Sequence, residues 1–296
     1  MDMKEYQRLA ATTDQNGADD PNGMMVALLG LAGETGSLLT LYKKWLRDGD
    51  AYQIMKERVA EELGDVLWYV ADIATRAGID LDDVATGNTR KAGHRWLPSS
   101  TVILFDEESL ESERLPRKFV AEFRNFGEPN KQKLEVYIDG VKCGSTLTDN
   151  AYKGDDYRYH DLLHLAFATV LGWSPVFRAL LKRKRRSTPL ADEVEDGGRA
   201  VAIEEGLAAL IFNYARHHSL LKGVSRLDWP LLRTCNEMTS HLEVSRRSLH
   251  DWELAILSAF KIWRQMQEHN GGFVDCDLLE RTMHYRSPDF GGVVSG

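Results

Sequence analysis

Cysteine is scarce in this sequence: Cys143, Cys235 and Cys276 are the only thiols in 296 residues, and no two form a C-x-x-C pair. That excludes a disulfide framework and a structural zinc site of the usual cysteine spacing, and it points to a reducing cytoplasm. Positive charge is also short. Forty-five acidic against 37 basic side chains leave a formal net charge of -8, the wrong sign for a chain whose main work is sequence-independent binding to a phosphate backbone. No uninterrupted apolar run approaches the roughly 18 residues of a membrane span. The start, Met1-Asp-Met-Lys-Glu5, is acidic and polar where a signal peptide needs a basic start and an apolar run. The expectation is a cytoplasmic protein with no membrane or nucleic-acid partner. What is present, 43% hydrophobic and 28% charged residues with 24 Gly and 8 Pro, describes a globular chain rather than a disordered or fibrous one. Its length suits two domains of about 100 to 200 residues.

Periodicity predicts a mainly α protein. Leu28, Leu31, Leu38, Leu41 and Tyr42 fall at helical spacing over residues 25–42, with Gly30, Gly33 and Gly36 leaving room for a close neighbour. A second helix is expected over about 51–77, with Ile54, Val59, Leu63, Val66, Leu67, Val70 and Ile73 on its apolar face and Gly78 as its stop. Asp80 is placed to cap a third, running to about Trp96. The pattern then changes to alternation in 119–126 and 133–138, and Asp139-Gly140 is a strong hairpin signal. That predicts a small antiparallel β insertion of two to four strands. Helical patterns resume over 155–171, to about 181, and over 198–221, 230–241 and 248–267. The expected division is a helical bundle at 1–97, a β-rich connector at 98–150 and a helical domain at 151–296.

Glu57, Glu61, Glu62 and Asp65 crowd onto the second helix, and Glu62 and Asp65, three apart, share a face. Like charges so placed repel unless a cation sits between them. On spacing alone a solvated acidic stripe is the better fit. Glu34 shifts the balance, because it lies inside Gly30-Leu-Ala-Gly-Glu-Thr-Gly-Ser37, an otherwise apolar and small-residue surface. Acids on two packed helices suit a hard divalent cation such as magnesium or manganese, which takes carboxylate oxygens and keeps positions open for water and phosphate.

The stretch Gly30-Leu-Ala-Gly-Glu-Thr-Gly-Ser-Leu-Leu39, then Glu61-Glu-Leu-Gly-Asp-Val-Leu-Trp-Tyr-Val70, then Asn88-Thr-Arg-Lys91 and Arg95, resembles the MazG-like nucleoside triphosphate pyrophosphohydrolases over roughly residues 24–97. The resemblance implies an all-α pyrophosphatase bundle that cleaves a nucleoside triphosphate, ribo or deoxy, to the monophosphate and pyrophosphate with Mg2+, Mn2+ being the alternative. By that resemblance Glu34, Glu62 and Asp65 are the catalytic metal-binding carboxylates, and Asn88 and Lys91 contact the nucleotide and its phosphates, with Arg95 beside them. Water would attack the α phosphorus in line, Glu34 orienting or deprotonating it. The family site is built from more than one chain, which implies a homo-oligomer. One position departs: the second Glu of the family's first pair is Ser37. That removes a charge and two acceptor oxygens, for which Glu61 or Asp72 are candidate replacements.

The second half carries its own constellation. His160 and His164, four apart, share a helix side, Asp161 lies beside them, and Glu204-Glu205 interrupts an apolar helix. These five are a second metal candidate, against mutual hydrogen bonding in a core. Residues 147–175 look like the extension fused behind some MazG-like domains. The five cations of Lys182–Arg186 read as a solvated loop. Trp68, Trp96, Trp173, Trp229, Trp252 and Trp263 read as core. Three functions remain: a triphosphate hydrolase for nucleotide-pool cleaning or for depletion in stress or phage defence; a nucleotide sensor or interaction protein with catalysis lost at Ser37; and a hydrolase using the His/Glu site.

Overall fold

The computed structural model describes residues 1–16, 20–96, 104–128 and 131–288, and its chain divides into two units, Met1–Gly93 and His94–Gly296. The first is helical: α1 (Met3–Ala11), α2 (Gly23–Asp48), α3 (Met55–Arg76) and α4 (Leu81–Trp96). Local signals set the ends of α3 and α4 where the sequence places them. Gly78, at φ +67°, lets Ile79 N–H reach Ala74 O at 2.9 Å and Gly78 N–H reach Thr75 O at 3.0 Å, the paired bonds of a Schellman stop. Asp80 then accepts from Asp82 N–H at 2.9 Å and so caps α4.

α2 and α3 pack together, and Gly30 is the point of closest approach. A Cβ there would sit 2.2 Å from the Tyr69 ring, whereas Gly33 and Gly36 face open space. The room expected at all three glycines is thus used at one. Little of this unit is buried: Ala10, Ala71, Ala74 and Leu81 form its small core, against Met3, Tyr6, Trp68 and Val70. Met25, Leu29, Leu39, Tyr42 and Leu46 of α2 remain more than half exposed. α2 is also, among the described residues, the helix long and apolar enough to cross a bilayer, with a mean hydropathy of 1.5. This revises the expectation from uninterrupted runs: leucines and small residues flank Glu34 on both sides, so the average is high although a carboxylate breaks the run.

The second unit is built around a five-stranded antiparallel sheet and a helical layer. β1 (Lys118–Phe126), β2 (Lys133–Ile138) and β3 (Val141–Leu147) form the expected meander, turning at Asp139-Gly140, both at positive φ. Helices α5 (Asp161–Ala166), α6 (Pro175–Leu180), α7 (Pro189–Val194), α8 (Gly198–His217), α9 (Trp229–Met238) and α10 (Leu249–His269) follow. β4 (Gly271–Asp277) and β5 (Thr282–Arg286) then complete the order β3-β2-β1-β4-β5. The five strands exceed the two to four expected. β4 and β5 tie residues 118–147 into the same unit as the helices, since Lys118 to Arg124 pair with Asp277 to Gly271.

The helix expected over 155–171 is broken. A 3-10 turn at Tyr157–Tyr159 leads into α5, which widens into a buried π turn at Phe167–Leu171 and stops at Gly172, φ +70°. Carbonyls freed by this irregular end need donors. Arg281 Nε donates to Val170 O at 2.8 Å and Arg247 Nε to Leu171 O at 2.7 Å. Trp173, Trp252 and Trp263 are buried in the core, as expected of them. The side chain of Trp96 lies outside the described residues.

The basic run departs from a solvated loop at Arg183, which donates to Glu111 O at 3.2 Å and Arg114 O at 2.8 Å, and further at Arg185. Arg185 is buried, its guanidinium clamped by Asp196 at 2.8 Å and Glu243 at 2.8 Å. Distant acids therefore neutralise one of the five cations, a pairing that no local pattern announces.

Candidate active site

α2 and α3 carry Glu34 and the Glu62/Asp65 pair to one place. One carboxylate oxygen from each of Glu34, Glu62 and Asp65 lies within 4.8 Å of the others. Glu34 and Glu62 are half-buried and Asp65 is exposed. The i, i+3 spacing aligns Glu62 with Asp65 on α3, and the contact of α2 with α3 brings Glu34 across.

Charge around the trio is unbalanced. Among the described residues no side chain makes a hydrogen bond or ion pair with any of the three carboxylates. Arg58, one turn before Glu62, is paired with Glu61, Nη1 to Oε2 at 2.8 Å. Three convergent anions, none paired with a described cation and one open to solvent, fit a hard divalent cation that keeps water on its exposed side. Glu61 therefore faces Arg58 in this arrangement. Asp72 is excluded as a substitute ligand by its surroundings: it is 5% exposed and accepts from Arg76 Nε at 3.0 and 3.1 Å, while Arg76 Nη2 reaches Asp14 at 2.5 Å. Ser37, half-buried, follows Glu34 by three on α2. Asn88 is exposed on α4. The side chains of Lys91 and Arg95 lie outside the described residues.

The second constellation also assembles. His164 is 1% exposed and its Nδ1 lies 2.8 Å from Glu204 Oε1. Glu204, fully buried, also accepts from Ser174 Oγ at 2.6 Å and Val176 N–H at 2.8 Å. Ser174 in turn caps α6 through Phe177 N–H. Burial opposes charge on His164, but Glu204, helped by Glu205 and Asp161, outweighs it and pushes the imidazole up to about 10. His160 Nε2 lies 3.4 Å from Asp161 Oδ1, its ring stacked on Tyr157 at 4.6 Å. Ser174 and the Tyr157 carbonyl are the partners that helical spacing could not supply. The Ser174-Pro175 start of α6 was the available signal for the first.

The described fold thus joins a four-helix unit bearing a carboxylate trio to an α+β unit. Residues 27–96 match the MazG nucleotide pyrophosphohydrolase domain and residues 100–289 match the MazG C-terminal domain. The chain belongs to the MazG family. It is 37% identical over 79 residues to the gene 37 protein of Mycobacterium phage L5, a match spanning 26% of this chain and 69% of that protein. No solved structure matches.

Proposed function

We propose that the N-terminal unit hydrolyses a nucleoside triphosphate, ribo or deoxy, to the monophosphate and pyrophosphate, with Glu34, Glu62 and Asp65 holding Mg2+ or Mn2+. The observation that carries this reading is the convergence of three carboxylates from two helices, none of them in an ion pair or hydrogen bond among the described residues. A bound divalent ion supplies charge neutralisation for the polyphosphate and lowers the pKa of coordinated water.

The chain's own residues do the rest. Glu34, in the half-buried position, orients the attacking water at the α phosphorus and takes its proton. Asn88 on the exposed face of α4 contacts the nucleotide, and Lys91 meets the phosphates as the family resemblance assigns it, with Arg95 as a further substrate-binding residue. The protein acts in the cytoplasm, on pool cleaning or on depletion during stress or phage attack. The uncovered apolar residues of α2, Leu29 at 65% and Leu39 at 66% among them, support a homo-oligomer, since a surface of that kind is normally covered by a partner.

Ser37 favours a second reading, a binding pocket whose turnover is lost. Incubating the full chain with a panel of ribo- and deoxynucleoside triphosphates and Mg2+ or Mn2+, then quantifying monophosphate and pyrophosphate, decides between them. Turnover that disappears in Glu62→Ala supports the enzyme. Binding without turnover supports the sensor, and turnover surviving Glu62→Ala rejects this site.

A further inference from the structure

His160 and His164 are both held by the same ring nitrogen. His160 Nδ1 lies 2.9 Å from the Tyr157 carbonyl, an acceptor only, so Nδ1 carries the proton and Nε2 the lone pair. His164 Nδ1 donates to Glu204, whose other contacts are also donors, Ser174 Oγ and Val176 N–H. Outer partners of this kind, a carbonyl on one ring and a carboxylate on the other, are what orient metal-binding imidazoles.

The Nε2 side is where ligands gather. His164 Nε2 is buried and makes no hydrogen bond, with Glu205 Oε2 at 3.5 Å, beyond a normal bond. His160 Nε2 has Asp161 Oδ1 at 3.4 Å. One ligand atom from each of His160, Asp161 and His164 lies within 4.8 Å of the others. A core pairing of His164 with Glu204 explains the Nδ1 side alone. It leaves unexplained why Asp161 and Glu205 bring two more carboxylates to the other side, where Glu205 stands 3.5 Å from a buried ring nitrogen with no normal hydrogen bond between them.

We propose that His160, Asp161, His164 and Glu205 form a binding site for a divalent transition-metal ion of the zinc, manganese or ferrous class, separate from the N-terminal carboxylate trio. Two imidazoles with two carboxylates suit these borderline ions better than magnesium. Glu205 is 46% exposed at its side chain, so the ion has an entry path and keeps a position for water or a substrate oxygen.

The test uses Co2+ as a spectroscopic stand-in with the full chain after chelator treatment and dialysis. Glu62→Gln/Asp65→Asn serves as a background in which the N-terminal carboxylates are silenced. Wild type and that background should each develop the visible d–d absorption of a nitrogen-ligated, low-coordinate Co2+ site, saturating at one equivalent and displaced by Zn2+. His160→Gln and Asp161→Asn should weaken uptake by at least roughly 10- to 100-fold, the effect of losing even an outer-shell partner. Glu205→Gln, at the exposed rim, provides a variant that spares the core. Thermal unfolding adds a readout independent of colour: Zn2+ should raise the Tm of wild type and of the silenced background, and much less that of Asp161→Asn or Glu205→Gln. Absence of the absorption band in wild type, or Co2+ affinity unchanged in folded His160→Gln and Asp161→Asn, overturns the proposal. Turnover of triphosphate does not enter either measurement.

Discussion

Glu34 of α2 and Glu62 of α3 place carboxylate oxygens within 4.8 Å of each other across a helix pair, with Asp65 completing the cluster. Neither helix alone holds the site, because the carboxylates belong to different turns of different elements. Replacing Glu62 by Ala should therefore lower kcat/KM for triphosphate hydrolysis by at least about 100-fold, the upper end of what loss of an outer-shell partner costs. Circular dichroism should be unchanged, as Glu62 makes no bond that the fold requires. Steady-state assays with Mg2+ check this.

Ser37→Glu is the complementary gain. A carboxylate three residues after Glu34 lies on the same face and adds charge beside the trio. Mn2+ should bind more tightly, by roughly 10-fold if the new oxygen ligates. Isothermal titration calorimetry reads the change, and equal affinity in wild type and variant would show that position 37 does not face the ion.

Asp106 links acid resistance to the second unit. It accepts from Leu115 N–H at 2.7 Å, pairs with Arg178 at 2.7 Å and meets Arg117 at 2.8 Å. Burial works to raise its pKa, but Arg178, the Leu115 amide and Arg117 outweigh it and hold the carboxyl below its ordinary value. A depressed acid adds stability that is complete above the unfolded value near 4 and fades as pH falls through the lower folded value. Wild type should thus lose stability below about pH 4, while Asp106→Asn should lack this dependence. Removing that charge leaves buried Arg178 with Asp196, 3.7 Å away, as its remaining acid partner, at a cost of about 3 kcal/mol. Urea melts across pH measure both effects.

The thiols should be silent until the chain unfolds. Burial pushes Cys143 up to about 11, with Asp161 adding to it, and Cys235 and Cys276 up to about 12. The nucleophile is the thiolate, so a disulfide-exchange reagent at pH 8 should label the native protein very slowly and release the full three thiols in denaturant. Rapid labelling of any one would show that its covering elements open.

How much of this was legible in the sequence follows from how local each signal is. Gly78, Asp80 and Asp139-Gly140 act on their immediate neighbours, so helix ends and hairpin could be read directly. Glu34, Glu62 and Asp65 carried a motif whose meaning came from family resemblance, since spacing could not say which acids meet. Glu61 and Asp72 look alike in the sequence, yet Arg58 holds one and buried Arg76 the other. β4 escaped because it opens on Gly271-Gly272, both at positive φ, and because its partner is β1, far away in the chain. Arg185 escaped for the same reason, its neutralising acids being Asp196 and Glu243.

The pairing of β1 with β4 also sets an order of events. Lys118 meets Asp277 only after every intervening helix has been synthesised, so the sheet keeps an unfilled margin while the ribosome is at work. Met1–Gly93 needs no such late segment for its own contacts. Nascent chains stalled before residue 271 should therefore expose protease-sensitive sites after Gly93 while the leading helices are already shielded, and the second unit should fold slowly, as sequence-distant pairings do.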